Sequence, residues 1–228
     1  MKHKLLFSVL ATLLFSGCIL GNKAFRFDGT VALYLDFVYR NHVENFIADS
    51  FEVAAYMDGG KHVSYIDAVN CTPTSEPRIK YLEYQKKFGD YNPTDGIWVE
   101  MGFGYGIEAP LGHPYCFYEC VEKITITALN DWSNTLPSGA DLSSLFSVEY
   151  KSVMPYIERG FTGDKETMVT QEVTDVAQNQ IRLLCSDYPI KLKTYSYPTK
   201  SNAQIEICFT LDSGREVKFT ASYKTIGE

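Results

Sequence analysis

The sequence predicts a mainly β fold, an antiparallel β-sandwich with one or two short helices. Three observations carry that prediction. The C-terminal region alternates apolar and polar residues at the two-residue period of a half-buried strand. Gly, Pro, Asn and Asp clusters punctuate short apolar runs along the chain. Aromatic residues, with 16 Tyr and 14 Phe among 228 residues, favour strands, and no strand–helix–strand alternation of a parallel sheet is visible.

The elements follow in chain order. Val31 to Val38 reads as a strand, with a helix as the competing assignment. Phe51 to Met57 and His62 to Ala68 flank Asp58-Gly59-Gly60, which predicts a hairpin turning there. Trp98 to Phe103 reads as a strand. Lys123 to Leu129 is another, with Ile124, Ile126 and Ala128 on one face. Leu136-Pro137-Ser138-Gly139 punctuates, and Ala140 to Phe146 forms one short helical turn. Val173, Val176, Ala177, Ile181 and Leu184 fit a helical face. Ile190 to Tyr197 is a strand. The clearest unit is last. Ile205, Ile207, Phe209 and Leu211 alternate with polar partners, Asp212-Ser213-Gly214 turns the chain, and Val217, Phe219, Ala221 and Tyr223 alternate back.

The first residues carry a different message. Met1-Lys2-His3-Lys4 is positive, Leu5 to Phe15 is apolar, and Ser16-Gly17 precede Cys18. This is the layout of an export signal. Eleven helical residues span ~16 Å, about half of a ~30 Å hydrocarbon core. Leu14-Phe15-Ser16-Gly17-Cys18 resembles the lipobox of bacterial lipoproteins, with Phe15 in place of the commoner Leu. Small residues admit the peptidase, and the thiol of Cys18 receives the diacylglyceryl group. The reading divides the chain into a signal peptide at 1–17, a lipidated cysteine and short tether at 18–25, and a β-sandwich-like domain at 26–228. One acyl chain anchors only marginally, whereas two or three hold durably. Ile19 is not acidic, and residues 19–23 lack an acidic run. Both favour the periplasmic face of the outer membrane.

Charge narrows the partners. Residues 1–17 hold two lysines and no acid, so the −7 of the whole chain becomes −9 after cleavage. An acidic chain without a basic cluster argues against nucleic acid. With Cys18 lipidated, Cys71, Cys116, Cys120, Cys185 and Cys208 remain. Five thiols do not make a complete disulfide framework. A Cys116–Cys120 bridge needs a turn or helix between them. Pairing of Cys185 with Cys208 is at least as plausible.

The segment Glu122-Lys123-Ile124-Thr125-Ile126-Thr127-Ala128-Leu129-Asn130-Asp131-Trp132, followed by Leu136-Pro137-Ser138-Gly139-Ala140-Asp141-Leu142-Ser143-Ser144-Leu145-Phe146, is similar to uncharacterised lipoproteins of the Bacteroides group. Those carry an Ile-x-Ile-Thr strand, a polar bend and a Pro-x-Gly-x-x-Leu-x-x-Phe turn. The hairpin around Asp212-Ser213-Gly214 also looks like theirs. The resemblance covers roughly half of the mature chain. It implies a fold and an envelope compartment, and it brings no catalytic residues. The chain departs from it in a Tyr-rich stretch from Arg78 to Tyr118.

Candidate chemistry is sparse. His113, Cys116 and Cys120 offer three soft ligands, but a closed zinc site takes four, so no metal or cofactor is expected. Gly102-Phe103-Gly104-Tyr105-Gly106 lacks the strand-to-helix setting of a phosphate loop. No Gly-x-Ser-x-Gly motif occurs, and Cys116 near His113 is a nucleophile–base pair by spacing alone. No catalytic residue is assigned. Asp90, Asp95, Glu100 and Glu108 lie among Tyr91, Trp98, Phe103 and Tyr105. Rings stack on sugar faces and carboxylates accept hydroxyl protons, so Tyr91, Trp98 and Tyr105 are the candidate ligand-binding residues. The plain alternative is a long edge loop with core-facing aromatics. The functional expectation is an envelope-anchored, non-catalytic binding or structural module. Its partners are the membrane, through lipid on Cys18, and an envelope protein or glycan. The alternative is an envelope hydrolase acting on polysaccharide or peptide.

Overall fold

A computed structural model describes residues 24–29, 32–48, 50–62, 76–100 and 114–223. Residues 1–23, Cys71, the glycine-rich 102–106 stretch and His113 lie outside them. Eleven strands and two α-helices are described. They are β1 (Ala24–Gly29), β2 (Leu33–Ala48), β3 (Ser50–His62), α1 (Glu76–Phe88), β4 (Asn92–Glu100), β5 (Tyr115–Phe117), β6 (Val121–Ala128), β7 (Phe146–Ser152), α2 (Met154–Glu158), β8 (Thr167–Glu172), β9 (Ile190–Thr194), β10 (Gln204–Leu211) and β11 (Glu216–Ser222). Single 3-10 turns occupy Ser143–Leu145 and Val173–Ala177. The fold is mainly β, as the sequence predicts. Among the described residues, no helix is long and apolar enough to cross a membrane.

The strands form a three-stranded sheet ordered β11-β10-β6, a six-stranded sheet ordered β5-β2-β3-β9-β7-β8, and a β1–β4 pair. Pairing is antiparallel except between β2 and β5, where Leu33, Tyr34 and Leu35 run parallel to Tyr115, Cys116 and Phe117. The two larger sheets share one core. Ile124 and Ile126 of β6 and Ile205, Ile207 and Phe209 of β10 pack with Phe146 and Val148 of β7 and Ile190 and Leu192 of β9. This is the sandwich arrangement, in which alternate residues of each sheet point inward.

The C-terminal hairpin matches its pattern. Ile205 pairs with Ala221, Ile207 with Phe219 and Phe209 with Val217, all buried. Gly214 at φ +78° supplies the left-handed turn residue. β10 also pairs with β6, so the hairpin is the outer part of the sheet. The predicted turn at Ala140 to Phe146 is a 3-10 turn at Ser143–Leu145. Asp141 Oδ1 accepts the Ser143 N–H at 2.9 Å, and Ser143 Oγ accepts the Ile126 N–H at 3.1 Å.

Three expectations need correction. First, Asp58-Gly59-Gly60 is not a turn. Ser50–His62 is one strand, and the chain reverses between Ala48 and Ser50, which are paired. Asp58 and Gly59 pair with Val38 and Phe37, beside a register shift between Leu35 and Phe37. Glycine there accommodates an irregular strand pair. Residues 63–68 lie outside the described residues. Second, the helical face from Val173 to Leu184 is a 3-10 turn only as far as Ala177. Ile181 and Leu184 are buried by bridging Val121 and Ser152 instead. Third, the edge-loop alternative for Tyr91 to Tyr105 fails over Asn92–Glu100, which is strand β4, and helix α1 precedes it where the sequence predicts no helix; residues 101–113 lie outside the described residues.

Helix α1 ends in a Schellman motif. Asp90 N–H donates to Gln85 O at 3.0 Å and Gly89 N–H to Lys86 O at 3.4 Å, with Gly89 at φ +66°. Tyr81 and Phe88 of its inner face join a second core with Ala32, Tyr34, Cys116, Val153, Tyr156, Leu183 and Cys185. Asp90 is buried there. Its Oδ2 accepts the Ala32 N–H at 3.1 Å and the Tyr34 hydroxyl at 2.9 Å. Burial, then the charge of Asp90, raises the Tyr34 phenol far above its usual range, so it stays a donor.

A short segment also closes the large sheet on itself. Leu183 O accepts the Val153 N–H at 3.2 Å, and Cys185 N–H donates to Lys151 O at 3.0 Å, both at the end of β7. On its other side, Leu184 O accepts the Phe117 N–H at 2.9 Å, and Ser186 N–H donates to Tyr115 O at 2.8 Å, both on β5. Hydrogen-bonded neighbours therefore run β5-β2-β3-β9-β7 and back to β5 through residues 183–186.

Candidate functional site

A cleft of about 400 Å³ lies at the edge of β7 and β8. That size suits a small ligand. Strand β7 presents Tyr150 and Ser152, and β8 presents Val169 and Gln171. Alternation places both pairs on one sheet face, because Tyr150 opposes Val169 and Ser152 opposes Thr167. Helix α2 forms one wall with Met154, Pro155 and Glu158, and residues 177–180 with Arg182 form the other.

Local hydrogen bonds fix these walls. Ser152 Oγ accepts the Met154 N–H at 2.9 Å and donates to Arg182 O at 2.6 Å. One hydroxyl thus starts α2 and holds the opposite wall. Gln171 Nε2 donates to the Tyr150 hydroxyl oxygen at 3.3 Å and to Asn179 O at 3.1 Å. Arg182 pairs with Glu158 across the rim. Burial pushes the Tyr150 phenol up to about 12, with smaller opposed contributions from Arg182 and Glu158. The phenol is therefore neutral at physiological pH and offers a donor and an acceptor together.

The lining is chemically neutral and amide-rich. Gln171, Gln178, Asn179 and Gln180 line it with side-chain amides, of which the Gln171 nitrogen already donates to Tyr150 and Asn179 O and the Gln180 nitrogen to Glu122. Among the described lining residues Glu158 is the sole carboxylate, and it is paired with Arg182. Such a surface matches hydroxyl and amide groups rather than a charged ligand.

The residues singled out from the sequence fall elsewhere. Tyr91 is exposed, just before β4. Trp98 lies within β4 opposite Arg26 of β1. Tyr105 lies outside the described residues, with Phe103 and Glu108. Asp90 is not a surface acid but the buried acceptor for Ala32 and Tyr34. The cleft escaped sequence reading because its residues come from four elements. Its one local signal is the amide run Gln178-Asn179-Gln180.

Cysteine placement also differs from expectation. Cys185 faces Cys116, not Cys208. Cys208 sits between Thr125 and Lys218 on the face of β10 opposite Ile207 and Phe209. Cys120 N–H donates to Asp212 Oδ1 at 3.1 Å, where Lys87 also pairs with Asp212. Glu166, Cys185 and Asp187 bring three donor atoms within 4.8 Å of one another. Lys151 Nζ already lies 3.1 Å from Glu166 and 3.9 Å from Asp187, so an ammonium neutralises that acid pair.

No protein-family model, no curated protein and no solved structure matches this chain.

Proposed function

We propose that this chain is an envelope lipoprotein, anchored through lipid on Cys18, whose β domain is a non-catalytic binding module. The outer membrane, facing the periplasm, is its proposed location. The similarity to Bacteroides-group lipoproteins fits that compartment. The observation that carries the binding role is the neutral, amide-lined cleft around Tyr150 and Gln171. The ligand it suits best is a hydroxyl-rich glycan fragment of the envelope. Retaining and inverting glycosidases both use two carboxylates, whereas this cleft offers Glu158 alone, held by Arg182. That favours binding over hydrolysis at this site.

The test is calorimetric titration of the full chain in mild detergent with oligosaccharides released from envelope polysaccharide. Saturable binding is expected, weakened about tenfold in Gln171→Ala, the equivalent of one net hydrogen bond. No binding would overturn the glycan reading, and steady cleavage of the same oligosaccharides would establish the hydrolase alternative. Anchoring is tested separately. Labelled fatty acid should be incorporated into the wild-type chain and not into Cys18→Ala.

A further inference from the structure

Two thiols meet at the seam that closes the large sheet. Cys116 and Cys185 are both fully buried, and their sulfur atoms are 3.9 Å apart. The two residues are partners in an antiparallel bridge. The flanking bonds run from Phe117 N–H to Leu184 O and from Ser186 N–H to Tyr115 O. Neither cysteine bonds to the other's backbone, so they occupy a non-hydrogen-bonded position. Such pairs hold their Cα atoms ~4.5 Å apart, within the ~4.4–6.8 Å that a disulfide accepts. The sulfurs reach bonding distance by side-chain rotation.

We infer that Cys116 and Cys185 are joined by a disulfide in the oxidised protein, fastening residues 183–186 to β5 and locking the closed sheet. The oxidant is a disulfide, either small or protein-borne. One cysteine thiolate attacks it, forming a mixed disulfide and expelling a thiolate. The second cysteine thiolate attacks the protein sulfur of that mixed disulfide and expels the other thiolate. The two cysteine protons end on the two departing thiols, and the two electrons reduce the oxidant's S–S bond. Burial and the neighbouring Cys185 push the Cys116 thiol well up. The exchange therefore belongs to the folding chain, before the seam is buried. Cys120 and Cys208 are held in other surroundings, so among the described cysteines the geometry selects this pair. Its formation in the cell rests on the export reading above.

The test refolds the full chain from urea in a glutathione–glutathione disulfide buffer, alkylates remaining thiols and maps peptides without reduction. A peptide pair joining Cys116 to Cys185, lighter by two hydrogens than its reduced parts, is expected. Cys120→Ser and Cys208→Ser should keep it, and Cys116→Ser and Cys185→Ser should lose it. Alkylation of both cysteines in the refolded wild-type chain, or linkage of either to another cysteine, would overturn the pairing. The wild-type map decides this even where a variant fails to fold. The same map on chain recovered from envelopes separates the two proposals. The link found there supports both. Reduced thiols there, after linkage in vitro, would leave the pairing standing and count against export.

Discussion

Asp90→Ala should be among the most damaging single substitutions in the domain. Asp90 is fully buried at the end of α1, and its Oδ2 serves two donors, the Ala32 N–H and the Tyr34 hydroxyl. Hydrogen bonds to a charged acceptor contribute ~1.5–3 kcal/mol each, and a buried donor left without its acceptor costs its desolvation. Two such bonds make the expected loss about 3–6 kcal/mol, a large part of the ~5–15 kcal/mol of a typical domain. Asp90→Asn keeps an oxygen at the same place and should lose roughly half as much. The assay is urea unfolding of the full chain followed by far-UV circular dichroism. A double-mutant cycle with Tyr34→Phe should give a coupling of ~1–3 kcal/mol, since the two groups touch. A loss under about 1 kcal/mol for Asp90→Ala, or a coupling near zero, would refute the reasoning.

Two further predictions follow from local geometry. Gly214 holds φ +78°, and an added Cβ there meets nothing within 4 Å. Gly214→Ala should therefore cost only backbone strain, about 1 kcal/mol, seen as a lower urea midpoint with an unchanged slope, and Gly214→Asn should cost less. Acid should also weaken the fold through two carboxylates held below their usual range. Glu149 is lowered chiefly by its hydrogen bond from Lys193, then by Tyr188, and Asp141 is lowered by side-chain and then backbone hydrogen bonds from Ser143. A depressed acid stabilises the fold above its unfolded value, near 4.5 for Glu149 and 3.8 for Asp141. That contribution is lost as pH falls through the lower folded value. Lys193→Met should flatten the Glu149 part of this loss in unfolding curves measured from pH 6 down to about 2.

The parts of this fold that were legible in the sequence are those built from neighbours in the chain. β10, its turn and β11 lie within twenty residues, so period and turn chemistry suffice. β6 showed itself because its inward residues Ile124, Ile126 and Ala128 alternate without interruption. Helix α1 was missed because its pattern is inverted. Its aliphatic residues Ile79 and Leu82 are exposed, while Tyr81 and Phe88 face the core. Tyrosines at helical spacing read as strand residues when judged by propensity, and the packing of Tyr81 and Phe88 on the Tyr34 ring of β2, 5.2 and 6.1 Å between centroids, shows why aromatic rings belong on that face.

The seam is the extreme case of information that no local pattern contains. Strand β5 is three residues long, and residues 183–186 are too few to show a strand period, with Leu184 falling instead on a helical period that the structure does not follow. Each is specified by the other across 69 positions of sequence. Closing so long a loop carries an entropic cost that grows only logarithmically with its length. Four backbone bonds and a buried sulfur pair meet that cost in one place. The same junction places Arg182 and the Ser152 hydroxyl bond on the cleft wall. Loosening the seam should therefore disturb the cleft before it disturbs the C-terminal hairpin. Hydrogen exchange on the refolded chain reads this directly. After reduction, the Ser186 and Phe117 amides should exchange faster, while the β10 amides paired with β11 stay protected. Equal acceleration of both sets would mean that the seam and the hairpin unfold as one unit, and that residues 183–186 have no separate hold on the cleft.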